Sequence, residues 1–327
     1  MKNCTVYNLL KKKFTYTNYD LRTRCHLLHH YQTTNLYIKR DDELSFGITG
    51  TKLRKYASLI PYAKQFKEVY LTGNVQGNHV LSFLQLAIEN QFNLRFFLKG
   101  DSKSSTGNAF YAQLLLQDKN GYWLKREDDP YEVATKYAQD NPSCFVVPEG
   151  GDCFASIPGA TTLGLDIIAN EEELGICFDH IFVDSGTGVS AIGLILGLSL
   201  KGHKGEVHVL SLADKEQVFM QKLAHYKVML ESHLQHNITI SVSIHYHYPT
   251  TAKAFGSTNQ TVFHEIKRVA KEEGFFLDPL YSAKLSLFVR QIIQKIPAAS
   301  KKLMIHSGGA LALIGFKDKL MENSRHV

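Results

Sequence analysis

Val183-Asp184-Ser185-Gly186-Thr187-Gly188-Val189-Ser190-Ala191-Ile192-Gly193 reads as the end of an apolar strand, then a loop of small residues, then the start of a helix. In such a turn successive backbone N–H groups and hydroxyls converge on the helix N-terminus, which makes a cradle for an anion such as a phosphate. The same residues also suit a plain strand-to-helix connection, because Gly and Ser favour that geometry in any case. The stretch is neither a Walker loop nor GxGxxG.

The rhythm extends in both directions. Leu36-Tyr37-Ile38 precedes a helical pattern from Lys52 to Phe66, Glu68 to Leu71 precedes Asn78 to Asn90, and Leu94 to Leu98 precedes Asn108 to Asp118. It continues with Phe145-Val146-Val147 before Ala160 to Glu173, His180 to Val183 before Ser190 to Leu200, and Val207 to Leu210 before Lys215 to His233. Strand–helix alternation of this kind predicts an α/β protein with parallel sheets covered by helices on both faces. No repeat, low-complexity tract or linker marks a domain boundary.

Three further segments carry polar chemistry. Thr49-Gly50-Thr51-Lys52-Leu53-Arg54-Lys55-Tyr56 opens a helix with a lysine, and an amine that condenses with a carbonyl-bearing cofactor must be held, able to lose its proton, and set beside an anchor for the cofactor phosphate. Asn74-Val75-Gln76-Gly77-Asn78-His79 follows a strand and offers amide and imidazole groups to a ligand carboxylate or ring oxygen. Helix capping by Asn74 or Asn78 and a packed, neutral His79 account for it equally well. Asp278-Pro279-Leu280-Tyr281-Ser282 and His306-Ser307-Gly308-Gly309 contain ordinary turn signals, and Tyr281 suits a core position as well as a catalytic one.

Composition narrows the class. With 327 residues, 44% of them hydrophobic, the chain can bury one large or two ordinary cores. The net charge of +6 is spread among acidic residues, and the one basic run, Lys11-Lys12-Lys13, is too short for a nucleic-acid surface. Five cysteines stand in no CxxC or Cys/His spacing, which predicts reduced thiols, a cytoplasmic setting and no metal site. The longest apolar run, Val189 to Leu200, is too short to cross a bilayer, so no membrane partner is expected.

Taken in order and spacing, these segments resemble over nearly the whole chain the pyridoxal-phosphate enzymes that include 1-aminocyclopropane-1-carboxylate deaminase and D-cysteine desulfhydrase. Lys39-Arg40-Asp41-Asp42 with Thr49 to Lys55 is similar to KRDD…GGNKxRK, Gly73 to His79 to GGxQSNH, Thr106-Gly107-Asn108 and Pro148-Glu149-Gly150-Gly151 to the GN and PxGG landmarks, Asp278 to Tyr281 to DPVY, and His306 to Gly309 to HTGG. The resemblance implies the tryptophan synthase β-like fold (fold type II), with two three-layer α/β/α domains and the active site between them. A smaller domain, residues 57–161, would be inserted into a larger one formed by residues 1–56 and 162–327. It further implies pyridoxal 5'-phosphate as cofactor, a small amino acid as substrate, and a homodimer.

By the same resemblance Lys52 is the Schiff-base lysine and Tyr281 lies at the active centre. Lys55 and the loop Ser185, Gly186, Thr187, Gly188, Val189 and Ser190 hold the phosphate, Asn78 bonds the cofactor ring oxygen, and Ser282 faces the pyridine nitrogen. Asn74, Gln76, Gly77 and His79 form the substrate side. Three departures matter: Gly77 replaces the serine of QSN, Ser282 stands where the deaminase has glutamate, and Thr49 and Thr51 replace Gly and Asn. Loss of the serine hydroxyl and a neutral partner for the ring nitrogen point away from cyclopropane opening and toward α,β-elimination of cysteine-like substrates to pyruvate, ammonia and sulfide. Deamination of the cyclopropane, β-replacement and a catalytically silent cofactor-binding protein are the alternatives.

Overall fold

The computed structural model describes residues 18–47, 50–116 and 120–322, with backbone alone at 45–47. Cys4, Lys11 to Lys13, Thr49 and Asp118 lie outside the described residues. In chain order the elements are β1 (Cys25–Leu27), β2 (Leu36–Lys39), α1 (Lys52–Ala63), β3 (Glu68–Asn74), α2 (Asn78–Glu89), β4 (Leu94–Lys99), α3 (Gly107–Leu115), β5 (Gly121–Leu124), α4 (Pro130–Ala138) and β6 (Cys144–Val147). There follow α5 (Ile157–Ala160), α6 (Thr162–Leu174), β7 (His180–Ser185), α7 (Val189–Leu200), β8 (Glu206–Ser211), α8 (Glu216–Leu234), β9 (Ser243–His247), α9 (Gln260–Glu273), α10 (Ser282–Ile292), β10 (Lys302–Ile305) and α11 (Lys317–Met321).

The strands form two sheets, one ordered β1-β2-β10-β7-β8-β9 and the other β5-β4-β3-β6. All pairings are parallel except β1 with β2. Alternation along β7 shows why each sheet is covered twice: Ile181 and Val183 enter a core with α6, α7 and α8, whereas Phe182 enters one with α9 and α10. The smaller sheet likewise packs against α1, α2 and α3 on one face and α4 on the other. Helix α7 is apolar almost all round and nearly every residue of it is buried, as expected of a helix sandwiched within a layer. No described helix is long and apolar enough to cross a membrane, and the four described cysteines are free thiols.

Each sheet has one place where the connections leave in opposite directions. From β7 the chain steps outward to β8 and β9 and returns to β10 on the other side; from β3 it steps outward to β4 and β5 and returns to β6. A crevice opens at the carboxyl ends of the strands at such switch points, and this is where α/β proteins bind ligands.

The Lys39 to Asp42 stretch proves structural. Arg54 on α1 is fully buried and bridges Asp41 Oδ1 at 2.6 Å and Asp166 Oδ2 of α6 at 2.8 Å, while Lys39 donates to Asp166, to Asn170 and to the Thr23 carbonyl. A buried charge network whose every member is paired fixes one arrangement, and removing one partner of such a network costs about 3–5 kcal/mol. It clamps α1 against the larger sheet and so sets the position of the lysine two residues before Arg54.

Candidate active site

A cavity of about 740 Å³ lies at both switch points. The β7–α7 loop and Ser307, after β10, wall it from the larger sheet; the β3–α2 loop and Glu149-Gly150, after β6, wall it from the smaller one. Of the residues predicted for the site, Lys52, Lys55, Asn74, Gln76, Gly77, Asn78, His79, Ser185, Gly186, Thr187, Gly188, Val189, Ser190 and Tyr281 all line this cavity. Ser282 does not. Its hydroxyl donates to Asp278 Oδ1 at 2.8 Å and accepts from the Asp278 N–H at 2.7 Å, so it is consumed in closing the turn that starts α10.

Helices α1, α2, α3 and α7 begin at the cavity, and none is capped by the side chain of its own N-cap residue, though at α3 the Ala109 N–H donates to Gln76 Oε1 at 3.3 Å. Four helix N-termini aimed at one space make it attractive to anions. At α7 the turn depends on Gly188, whose φ of 93° is costly for any residue with a Cβ. On the opposite side Gly50 (φ 53°) lets the backbone before Lys52 pass the Ser307 carbonyl, where a Cβ would sit 2.4 Å from that oxygen; Thr51 N–H donates to the same carbonyl at 3.1 Å.

The electrostatics divide the two lysines. Burial lowers the Lys52 pKa, opposed by the carboxylates of Asp184 and Asp278, so the amine loses its proton more readily than an exposed lysine. The ammonium sits 5.7 Å from the centre of the Tyr281 ring. Lys55 is pushed down to about 7 by burial and then by the charge of Lys52, and it donates to the Gly150 carbonyl. Burial pushes Asp184 up to about 6, with Asp278 adding to the effect. Burial, Asp278 and Asp184 all raise Tyr281, which keeps its phenol protonated. His79 is held neutral by burial and by both lysines, and its Nδ1 is hydrogen-bonded to Tyr56 Oη at 2.5 Å. It is thus a cavity wall and a packed core histidine at once.

Four buried polar atoms at the wall have no hydrogen-bond partner among the described residues: Ser185 Oγ, Asp184 Oδ1, Asn108 Oδ1 and His79 Nε2. Unpaired buried polar groups are rare because they are costly. Their gathering around one cavity, beside a phosphate-type loop and a lysine with a lowered pKa, fits a polar, phosphorylated cofactor. Asn78, whose Oδ1 accepts from Asn108 Nδ2 at 2.6 Å, is backed by Gly309, where a Cβ would lie 2.6 Å from the amide nitrogen.

Asp184, Thr106, Gly107, Asn108, Glu149 and Ser307 line the cavity without having been predicted as site residues. Most belong to segments the sequence marked only as landmarks, and position in a pattern does not say which way a side chain faces.

Residues 17–308 match the family of pyridoxal-phosphate dependent enzymes. The chain is 26% identical over 307 residues to the 1-aminocyclopropane-1-carboxylate deaminase of Mesorhizobium japonicum, covering 86% of this chain and 88% of the relative. It is 27% identical over 310 residues to the bifunctional D-cysteine desulfhydrase/1-aminocyclopropane-1-carboxylate deaminase, mitochondrial, of Arabidopsis thaliana, covering 88% and 75%. Among solved structures, an ACC deaminase homologue superposes with a TM-score of 0.84 at 23% identity, covering 97% of this chain and 98% of that one.

Proposed function

The chain belongs to the family of pyridoxal-phosphate-dependent enzymes, and on that premise we propose that it is a lyase that eliminates the β-substituent of a small cysteine-like amino acid. The single observation that carries this reading is the geometry at Gly77. It caps α2 in extended conformation at the cavity wall, and a Cβ there would lie 2.9 Å from the Asn74 carbonyl oxygen, so no hydroxyl-bearing side chain fits without moving backbone. The substrate side therefore presents backbone N–H groups of a helix N-terminus, suited to a carboxylate, and a neutral imidazole. It lacks at this position the serine hydroxyl that the resemblance associates with ring opening.

Bound pyridoxal phosphate supplies an electron sink that acidifies the substrate α-carbon. Lys52 would carry the cofactor, the Ser185 to Ser190 loop and Lys55 its phosphate, and Asn78 its ring oxygen. Lys52, favoured as a neutral amine by burial, takes the α-proton. Tyr281 stays a hydroxyl donor beside it and packs on the phosphate loop, since a Cβ at Gly186 would lie 3.3 Å from its ring. Departure of the β-thiol as sulfide and hydrolysis of the released enamine leave pyruvate and ammonia. The same reading makes residues 57–161 an inserted unit in a homodimeric enzyme.

Deamination of 1-aminocyclopropane-1-carboxylate to 2-oxobutyrate is the second reading, favoured by the names of the relatives. The purified holoenzyme, given D-cysteine, L-cysteine and the cyclopropane in turn, should release sulfide and pyruvate from one cysteine enantiomer. 2-Oxobutyrate from the cyclopropane with no sulfide from either cysteine would overturn the elimination reading in favour of the second.

A further inference from the structure

At the end of the larger sheet away from the cavity, three neighbouring strands place side chains on one face. The register sets His180 of β7 beside Glu206 of β8, and His208 beside His245 of β9. Side chains two apart share a face, so Glu206 and His208 line up with His180 on the left and with His245 and His247 on the right. Glu206 Oε2 lies 3.4 Å from His180 Nδ1, 3.7 Å from His208 Nε2 and 3.0 Å from His245 Nε2. His180 Nδ1 and His208 Nε2 are 3.1 Å apart.

Within the triad itself hydrogen bonds do not satisfy every neighbour, since a proton on His208 Nε2 given to His180 Nδ1 leaves none there for the carboxylate. Without an ion the arrangement closes by drawing on the edge strand, His247 Nε2 donating to His208 Nδ1 and His245 Nε2 to Glu206 Oε2 at 3.0 Å. A cation accepts all three lone pairs at once. Tetrahedral zinc with bonds of about 2.0–2.1 Å sets its donors about 3.3 Å apart, within the 3.1–3.7 Å spread of this triad. His208 Nδ1 faces His247 Nε2 at 3.2 Å, which supplies the outer hydrogen bond that fixes a ligating imidazole with its lone pair on Nε2. Among the described residues one other group has metal-ligand character, Glu171, Cys177 and His203. There the Gly205 N–H donates to His203 Nδ1 at 3.0 Å, so Nε2 carries the proton and gives it to Glu171 Oε1 at 2.9 Å; that group is satisfied as it stands.

We propose that His180, Glu206 and His208 form a site for one divalent zinc-type ion, with water in the fourth position and His245 and His247 holding the ligands from the edge strand. His180 and His208 are nearly buried while Glu206 is 42% exposed, which gives the ion a way in from solvent. Glu206 lies five residues and His208 three residues before the carboxyl end of β8, about 17 and 10 Å at strand rise, so the ion is a staple for β7, β8 and β9 rather than a participant in the chemistry.

The test is a zinc titration of chelator-treated holoenzyme in competition with a chromophoric chelator, followed by thermal unfolding with and without zinc. One equivalent should bind and raise the melting temperature. Glu206→Gln, a near-isosteric change at a half-exposed position, and His180→Gln should each weaken binding by at least about tenfold, with the visible cofactor band retained. Cys177→Ser should bind as the parent does. Absence of a stoichiometric site, full binding in both ligand variants, or loss of binding in Cys177→Ser would each overturn the proposal.

Discussion

Lys55 shows how a single side chain can be read for function from its surroundings. Burial and then the charge of the neighbouring Lys52 push its pKa down to about 7, far below an exposed lysine. A phosphate brought beside it favours the protonated form and raises its pKa in the complex. Below pH 7 the lysine is charged in both states and affinity is full. Above 7 the free protein must take up a proton to bind, so affinity falls by up to about tenfold per pH unit until the pKa of the complex is passed. Pyridoxine 5'-phosphate, which lacks the aldehyde and so leaves Lys52 out of the equilibrium, should show this decline between pH 7 and 9, where its phosphate remains a dianion. Lys55→Met should bind weakly with a flat profile. A parent profile that is itself flat would remove Lys55 from the phosphate site.

At the scale of elements, the strand–helix beat was legible from Leu36 to Leu115 and again from Phe145 to His233, where strand and helix patterns alternate cleanly, while β5 and α4 between them went unread. Strand β9 escaped notice because Ser243-Ile244-His245-Tyr246-His247 carries histidines where an apolar residue would announce a strand, and β1 and β5 are only three and four residues long. The same non-contiguity hid the histidine–glutamate triad, whose donors come from two strands 26 residues apart with support from a third. Cavity-lining loops were readable as motifs, yet the capture of the Ser282 hydroxyl by Asp278 was not, since spacing alone does not say which partner a hydroxyl chooses. Close helix packing is equally invisible in one sequence. At Gly197 on α7 a Cβ would sit 2.2 Å from the Thr161 carbonyl oxygen and 3.1 Å from Gly164 Cα. Gly→Ala inside an open helix stabilises by about 1 kcal/mol, but overpacking costs about 1–3 kcal/mol. With backbone as the obstacle, overpacking wins. Gly197→Ala should lower the urea midpoint, and an unchanged or higher midpoint would mean that the α6–α7 contact yields more easily than its geometry indicates.

Across the whole molecule, two sheets open their switch points toward each other, four helices begin at the space between, and a buried ion network anchors the helix that carries Lys52. Charge, shape and unpaired polar atoms thus converge on one place suited to one phosphorylated cofactor, with Lys52 in its wall. Reduction of the holoenzyme with borohydride, followed by peptide mapping by mass spectrometry, tests that assignment most directly. The reduced cofactor should be found as a stable secondary amine on Lys52 alone; recovery of the label on Lys55, or on any lysine outside the cavity, would contradict it.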